Sequence, residues 1–176
     1  MWPLLLLLLC NPGNPDTSNA IMAPLAPDRG HHAPVMHIRP LSRAADQLLT
    51  EGIERSPVIY DLVEKLQASD EVIYLSYTGL REIPRARTQL MSSAPGVRFL
   101  KIDINVTVAP FERLPLLAHE LQHAVEIAAA TDVRDEEGLR QLYKRIGLSG
   151  EPGRYETAAA RQVELRVRNE HPRNRQ

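Results

Sequence analysis

Cysteine is almost absent from this chain of 176 residues, which carries only Cys10. A single cysteine excludes an internal disulfide and a zinc site built on paired thiolates, so any metal must be held by histidine and carboxylate. Neither sign of charge dominates, since the formal net charge is −1. The basic residues, 18 Arg and 3 Lys, are scattered rather than clustered. Composition therefore gives no electrostatic footprint for a nucleic-acid partner.

Long apolar runs are also missing. The first ten residues, MWPLLLLLLC, form an uncharged apolar block that is far shorter than the roughly 18 to 20 residues that span a bilayer. Such a block is typical of the core of a signal peptide, which predicts an exported protein: periplasmic, envelope-associated or secreted. The alternatives are a lipoprotein-like signal with a lipid anchor at Cys10, and a hydrophobic tail with no targeting role.

Proline is concentrated near the N-terminus. Residues 11–40 hold six of the fourteen prolines and show no hydrophobic period. With nothing to bury, this segment is expected to be a disordered linker. The folded domain is then expected at residues 41–176, which is long enough to bury a sizeable core.

Hydrophobic spacing predicts an α+β domain with a small sheet. Apolar residues three and four apart predict helices at 42–56, 57–69, 134–147 and 155–170, besides the helix that carries the motif described next. β-Branched and aromatic residues predict strands at 71–77 and 85–93. Strict alternation from Leu100 to Val108 predicts a half-buried strand with one wet face.

The run LLAHELQHAVEIA, residues 116–128, is an apolar helical segment interrupted by two histidines and two glutamates. His119 and His123 are four residues apart, so both imidazoles stand on one face of a helix and can reach one metal ion. Glu120 is rotated about 100° from His119, which brings it close to a metal-bound water without making it a ligand. This H-E-x-x-H spacing predicts a zinc site with Glu120 as general base.

A surface helix that carries these side chains by chance would have other charges among its apolar positions. From Leu114 to Val125 the only ionisable side chains are those of the motif. The flanking sequence therefore favours zinc binding over an ordinary surface helix.

A catalytic zinc site needs a third protein ligand and an open position for water. Glu126 lies about 4.5 Å beyond His123 along the helix, which suits a supporting role that orients a ligand histidine. Glu156 is the stronger candidate for the third ligand, because it opens the predicted last helix, where Ala158–Ala160 permit close packing. The alternative for Glu156 is a first-turn glutamate that stabilises the helix dipole.

The motif HELQH, followed 33 residues after His123 by Glu156 in ETAAA, resembles the gluzincin pattern of HExxH zinc metallopeptidases. The resemblance covers roughly residues 97–165. It implies a zincin-like fold in which a small mixed sheet and flanking helices surround the active-site helix. It also implies His119, His123 and Glu156 as ligands of Zn²⁺. Glu120 would then activate a zinc-bound water for attack on the carbonyl of a peptide or protein substrate, which the wet face of the strand at 100–108 would hold in extended form.

Two main functions remain open at this point. One is a zinc-dependent peptidase-like hydrolase, favoured by Glu120, since a purely structural site needs no base. The other is a catalytically inactive zincin-fold zinc-binding module at the cell envelope, favoured by the small size of the domain. A helical domain without metal is the remaining alternative. Tyr77, Tyr143 and Tyr155 are the candidates for an oxyanion partner.

Overall fold

A computed structural model of the chain describes residues 37–79, 85–148 and 155–170. Within these ranges the chain is α+β, with four strands and five helices, which confirms the predicted class. No helix in the described ranges is both long enough and apolar enough to cross a membrane. The expectations for the signal at residues 1–10, the anchor at Cys10 and the linker at residues 11–36 lie outside the described residues.

One short strand and two helices come first, three consecutive strands follow, and three helices complete the described part of the chain. In order they are β1 (Ile38–Pro40), α1 (Arg43–Arg55), α2 (Pro57–Gln67), β2 (Glu71–Thr78), β3 (Ala86–Ala94), β4 (Val97–Asn105), α3 (Pro110–Ala129), α4 (Glu136–Ile146) and α5 (Ala158–Glu170). Ser42 caps α1 and Pro57 opens α2, as their residue types predict.

Two boundaries predicted from the sequence are wrong. The domain begins before residue 41, because β1 pairs with β2 and Ile38 is buried in the core. A strand of three residues is too short to show an alternating pattern. The strand expected at 100–108 lies three residues earlier, because Asn105 ends it: its side chain accepts a hydrogen bond from the Thr107 N–H and its carbonyl accepts one from the Val108 N–H.

The sheet has the order β1-β2-β4-β3. Strands β1, β2 and β4 run parallel to one another, whereas β3 is antiparallel to its neighbour β4. β4 is therefore a central strand, hydrogen-bonded on both sides, and β3 forms one edge. Apolar side chains from all five helices form one cluster with those of the sheet: Ile73, Leu75, Leu100, Ile102 and Ile104.

The face of β4 that was expected to be wet is not open to a peptide at its centre. Asp103 is fully buried there, where Ser76, Arg87 and Lys101 surround its carboxylate. Burial acts to raise the pKa of Asp103, but the hydrogen bonds from Ser76, Lys101 and Arg87 outweigh it and hold the pKa below its usual value. This charge cluster takes the place that the sequence pattern assigned to substrate.

The C-terminal end of α3 is tied to the sheet by Arg98 of β4, whose side chain is fully buried. Its guanidinium donates to the carbonyls of Ile127, at 2.6 Å, and of Ala130, at 3.0 Å, at the end of the helix. It also pairs with Asp70, at the turn before β2. A cation that binds the last carbonyls of a helix satisfies acceptors that have no partner within the helix and complements its dipole.

Glu71 lies beside Arg98 without a hydrogen bond of its own. Its side chain is fully buried, its nearest contact with Arg98 is 3.7 Å, and neither carboxylate oxygen has a hydrogen-bond partner among the described residues. Burial therefore raises the pKa of Glu71 to about 8, although the charge of Arg98 acts in the opposite direction.

Replacing Glu71 with Gln should stabilise the fold more at about pH 8 than at about pH 5. The usual pKa of an unfolded glutamate is about 4.3. Between that value and about 8 the folded chain keeps a proton that the unfolded chain releases, so wild-type stability falls as the pH rises. The slope is at most about 1.4 kcal/mol per pH unit, and Glu71→Gln removes it. Urea unfolding at both pH values measures the difference, with exposed Glu64→Gln as control. An equal effect at both pH values would contradict this account.

Candidate metal centre

The sequence HELQH lies in the middle of α3, whose other side is buried in the core. Leu117, Ala118, Leu121 and Ala124 are all fully buried. Because this apolar stripe fixes the rotation of the helix, it also fixes where the opposite side points. His119 and His123 emerge together on that side, as their spacing of four predicts.

The two imidazoles face each other through the same ring nitrogen. Nε2 of His119 lies 3.1 Å from Nε2 of His123, and the ring planes are inclined by 75°. Two nitrogens that bind one tetrahedral zinc at 2.0–2.1 Å would be about 3.3 to 3.4 Å apart. The pair thus needs little adjustment to hold one zinc ion.

Each imidazole is held from behind by a carboxylate. His119 Nδ1 lies 3.0 Å from Glu164 Oε2 on α5, and His123 Nδ1 lies 2.9 Å from Glu126 Oε2 on α3. A carboxylate that accepts the Nδ1 proton leaves Nε2 as a lone-pair donor and fixes the ring orientation, the arrangement usual for histidines that bind metal. Glu126 thus lies behind the ring, where the sequence analysis expected it.

Glu156 brings a carboxylate to the same point. Its Oε1 lies 3.6 Å from His119 Nε2, and the donor atoms of His119, His123 and Glu156 all lie within 4.8 Å of one another. Glu156 does not open the last helix, however. α5 begins two residues later, where Thr157 caps it by accepting a hydrogen bond from the Ala160 N–H. The first-turn alternative for Glu156 therefore does not apply.

A short backbone pairing sets the position of Glu156. The Leu148 N–H donates to the Glu156 carbonyl at 2.7 Å, and Gly147 forms an antiparallel bridge with Thr157. At Gly147 a side chain has no room, since a Cβ there would lie 2.3 Å from the Tyr143 carbonyl oxygen. The end of α4 and the segment before α5 thus hold Glu156 against α3.

Glu120 is almost completely buried between α3 and the edge strand. Thr88 of β3 donates a hydrogen bond of 2.7 Å to Glu120 Oε2. Burial raises the pKa of Glu120, partly offset by the nearby charges of His123 and His119. Although burial disfavours the imidazolium, the hydrogen bond that His119 donates to the Glu164 carboxylate and the charges of Glu120 and Glu156 raise the pKa of His119. Four carboxylates thus lie around two imidazoles, and two of them also pair with exposed arginines: Glu164 with Arg168 at 2.6 Å and Glu156 with Arg161 at 3.4 Å. The excess of carboxylates favours a cation between the imidazoles.

Two of the three tyrosines considered from the sequence lie near this site. The Tyr143 hydroxyl is 3.2 Å from His123 Nδ1, and Tyr155 stacks on Tyr143 with ring centroids 4.5 Å apart. Tyr77 lies elsewhere, beside Arg113 at the start of α3.

Sequence reasoning missed Glu164 and Thr88. Glu164 is in the middle of α5 and Thr88 is in a strand whose pattern is only weakly alternating, so neither stands in a local motif. Both become recognisable once α5 and β3 are packed against α3. The comparisons with known proteins add no further assignment: the chain matches no family model, no curated protein and no solved structure.

Removing the carboxylate behind His119 should weaken metal binding without removing a ligand. Glu164→Ala is expected to lower zinc affinity about 10- to 100-fold, because His119 loses the group that orients its ring. Competition with a chromophoric chelator measures the affinity, and circular dichroism checks the fold. The matched control is Glu137→Ala, which removes an exposed glutamate on α4. Equal affinities for the two variants would rule out this role for Glu164.

Proposed function

We propose that this protein is a zinc-dependent peptidase-like hydrolase of the gluzincin type, with a zincin-like domain. One observation carries the proposal. The Nε2 atoms of His119 and His123 lie 3.1 Å apart, and each Nδ1 is held by a carboxylate. Glu156 joins them as the third donor. This donor set fits zinc, which takes imidazole nitrogens and carboxylate oxygens in its catalytic sites.

Zinc held there would supply a Lewis acid that lowers the pKa of a coordinated water towards about 7. Proton transfer falls to Glu120, which follows the first ligand in the helix. In the proposed reaction Glu120 accepts a proton from the attacking water and passes it to the leaving nitrogen of the peptide. The hydrogen bond from Thr88 fixes one oxygen of this carboxylate, so that the other is left for the proton.

The edge strand β3 is the proposed support for the substrate, in place of the central strand considered from the sequence. β3 is bonded to β4 on one side only within the described sheet. Thr88 joins this strand to Glu120, so an extended peptide added along β3 would pass beside the proposed base. Addition of a strand to a sheet edge provides main-chain hydrogen bonds without dependence on side-chain identity.

The second candidate is a zincin-fold zinc-binding module that does not catalyse a reaction. It is favoured by the burial of Glu120, which is only 5% exposed and accepts a hydrogen bond from Thr88. In such a module Glu120 would join β3 to α3, and the metal would stabilise the contact of α3 with Glu156. The experiments below separate the two functions.

Substitutions in the site should distinguish the residues that bind the metal from the residue that acts as the base. His119→Ala, His123→Ala and Glu156→Ala are each expected to lower the zinc content after dialysis, because three ligands become two. Glu120→Gln should keep the zinc and lower cleavage of a mixed peptide library by about 10²- to 10⁴-fold, because only the base is removed. Elemental analysis and mass spectrometry measure the two properties.

Three results would contradict parts of this assignment. If Glu126→Ala removes the metal and Glu156→Ala does not, the third ligand is Glu126. If wild type binds zinc and cleaves no peptide of the library, or if Glu120→Gln cleaves as fast as wild type, the non-catalytic module takes the place of the hydrolase.

The hydroxyl group of Thr88 is expected to contribute to the rate of catalysis. Thr88→Val keeps the shape of the side chain and removes the hydrogen bond to Glu120, so kcat is expected to fall while KM and zinc content stay close to wild type. Thr88→Ser, which keeps the hydroxyl, should recover most of kcat. An increase of KM with unchanged kcat in Thr88→Val would mean that Thr88 serves substrate binding rather than the base.

A further inference from the structure

A cavity of about 390 Å³ lies on another side of α3 from the metal centre. It is lined by α1, by the end of β2, by the residue after β4 and by the first turns of α3. Arg113, which lines it, and His119 are six residues apart and therefore about 120° apart around the helix. This volume falls in the range of pockets that hold small molecules.

The cavity stands at the carboxyl ends of two parallel strands. Tyr77, near the end of β2, and Val106, directly after β4, both line it. In parallel sheets this edge is where ligands bind, because the loops and the following helices begin there. α3 begins at this edge, and its N-cap residue Ala109 offers no side-chain hydrogen bond to the first turn. The positive end of the α3 dipole therefore adds to the field in the cavity.

Arg113 brings a full positive charge to this cavity. Its Nε donates to the Val108 carbonyl at 3.2 Å, and its guanidinium carbon lies 5.8 Å from the centroid of the Tyr77 ring. These contacts hold the side chain in place. Among the described residues no carboxylate forms an ion pair with Arg113, so its charge is available to an anion.

The nearest acidic side chains have partners of their own. Glu51, which also lines the cavity, pairs with Arg55 at 2.5 Å, and Glu112 of α3 pairs with Arg85 at 2.7 Å. Each of these carboxylates therefore has an arginine partner other than Arg113. Arg113 is then the one charged side chain of the lining without an ion-pair partner among the described residues, and the positive end of α3 adds to its field.

The remaining lining is mostly apolar. Ala44 and Leu48 of α1 face Leu114 of α3, and Val106 is 49% exposed although it is a large aliphatic residue. A ligand that covers this surface would gain hydrophobic free energy in proportion to the apolar area removed from water. The lining therefore suits a ligand that has an apolar body and one anionic group.

We propose that this cavity binds a small amphipathic organic anion, whose acidic group pairs with Arg113 and whose apolar body packs against Leu48, Val106 and Leu114. The proposal does not depend on zinc or on hydrolysis. It assigns the protein a second binding site, formed by the parallel part of the sheet, on a side of α3 that the metal centre does not use.

Two fluorescent probes of similar shape test the proposal: 8-anilinonaphthalene-1-sulfonate, which is anionic, and N-phenyl-1-naphthylamine, which lacks the sulfonate. We expect the anionic probe to bind the full-length protein at one saturable site. Arg113→Gln should weaken it about tenfold, because a charge-assisted contact is lost, and should change binding of the neutral probe less than about twofold. Arg113→Lys should keep most of the affinity for the anionic probe.

Further variants locate the site. Ala44→Phe, at an exposed position of α1, should block the cavity and weaken both probes. Arg166→Gln, which removes an exposed arginine of α5, is the matched control and should change neither. The proposal is overturned if Arg113→Gln leaves the anionic probe unaffected, if it weakens both probes equally, or if Arg166→Gln has the same effect. Unchanged binding of both probes in Ala44→Phe would also overturn it.

Discussion

The buried guanidinium of Arg98 joins the sheet to the C-terminal end of α3. It satisfies carbonyls at the end of that helix and is itself neutralised by Asp70. A charge at this depth is stable only because it is paired and hydrogen-bonded on several sides. Since α3 carries His119 and His123, the position of the proposed metal centre relative to the sheet depends on this attachment.

Around α3 the centre is assembled from separate parts of the chain. α5 supplies Glu164 behind His119, the segment before α5 supplies Glu156, and β3 supplies Thr88 to Glu120. Glu126 joins two of these parts, because it contacts His123 and also accepts a hydrogen bond from the Thr157 hydroxyl at 2.6 Å. Glu126, which is proposed to orient one ligand, thus also holds the segment that carries Glu156, the proposed third ligand.

The environment of Glu120 is consistent with either proposed function, because the same hydrogen bond can orient a base or hold two elements together. What separates the functions is the response to loss of charge at Glu120. A base that becomes an amide cannot carry a proton, whereas an amide can still accept a hydrogen bond from Thr88. The Glu120→Gln substitution is therefore expected to abolish proton transfer by this side chain and to leave its packing nearly unchanged.

The features that could be predicted from the sequence alone are those set by interactions between residues close together in the chain. The spacing of His119 and His123 places two imidazoles on one face of any helix. The N-cap at Ser42 and the proline that opens α2, Pro57, follow from residue type. The contact of Glu126 with His123 also follows from helical spacing, because the two residues are three apart on α3. These features depend on contacts between residues a few positions apart, and the periodicity of the sequence is enough to predict such contacts.

Only the tertiary structure decided the rest. β1 is too short to have a pattern, and the alternation in β4 could not tell a solvent-exposed face from one closed by the charges around Asp103. Glu164 and Thr88 meet α3 across 45 and 32 residues of chain. No periodic pattern encodes contacts at such separations, because they depend on how the packed helices and strands are rotated against one another. The two imidazoles are a property of the sequence, whereas the carboxylates that make them a candidate metal centre are brought there by the fold.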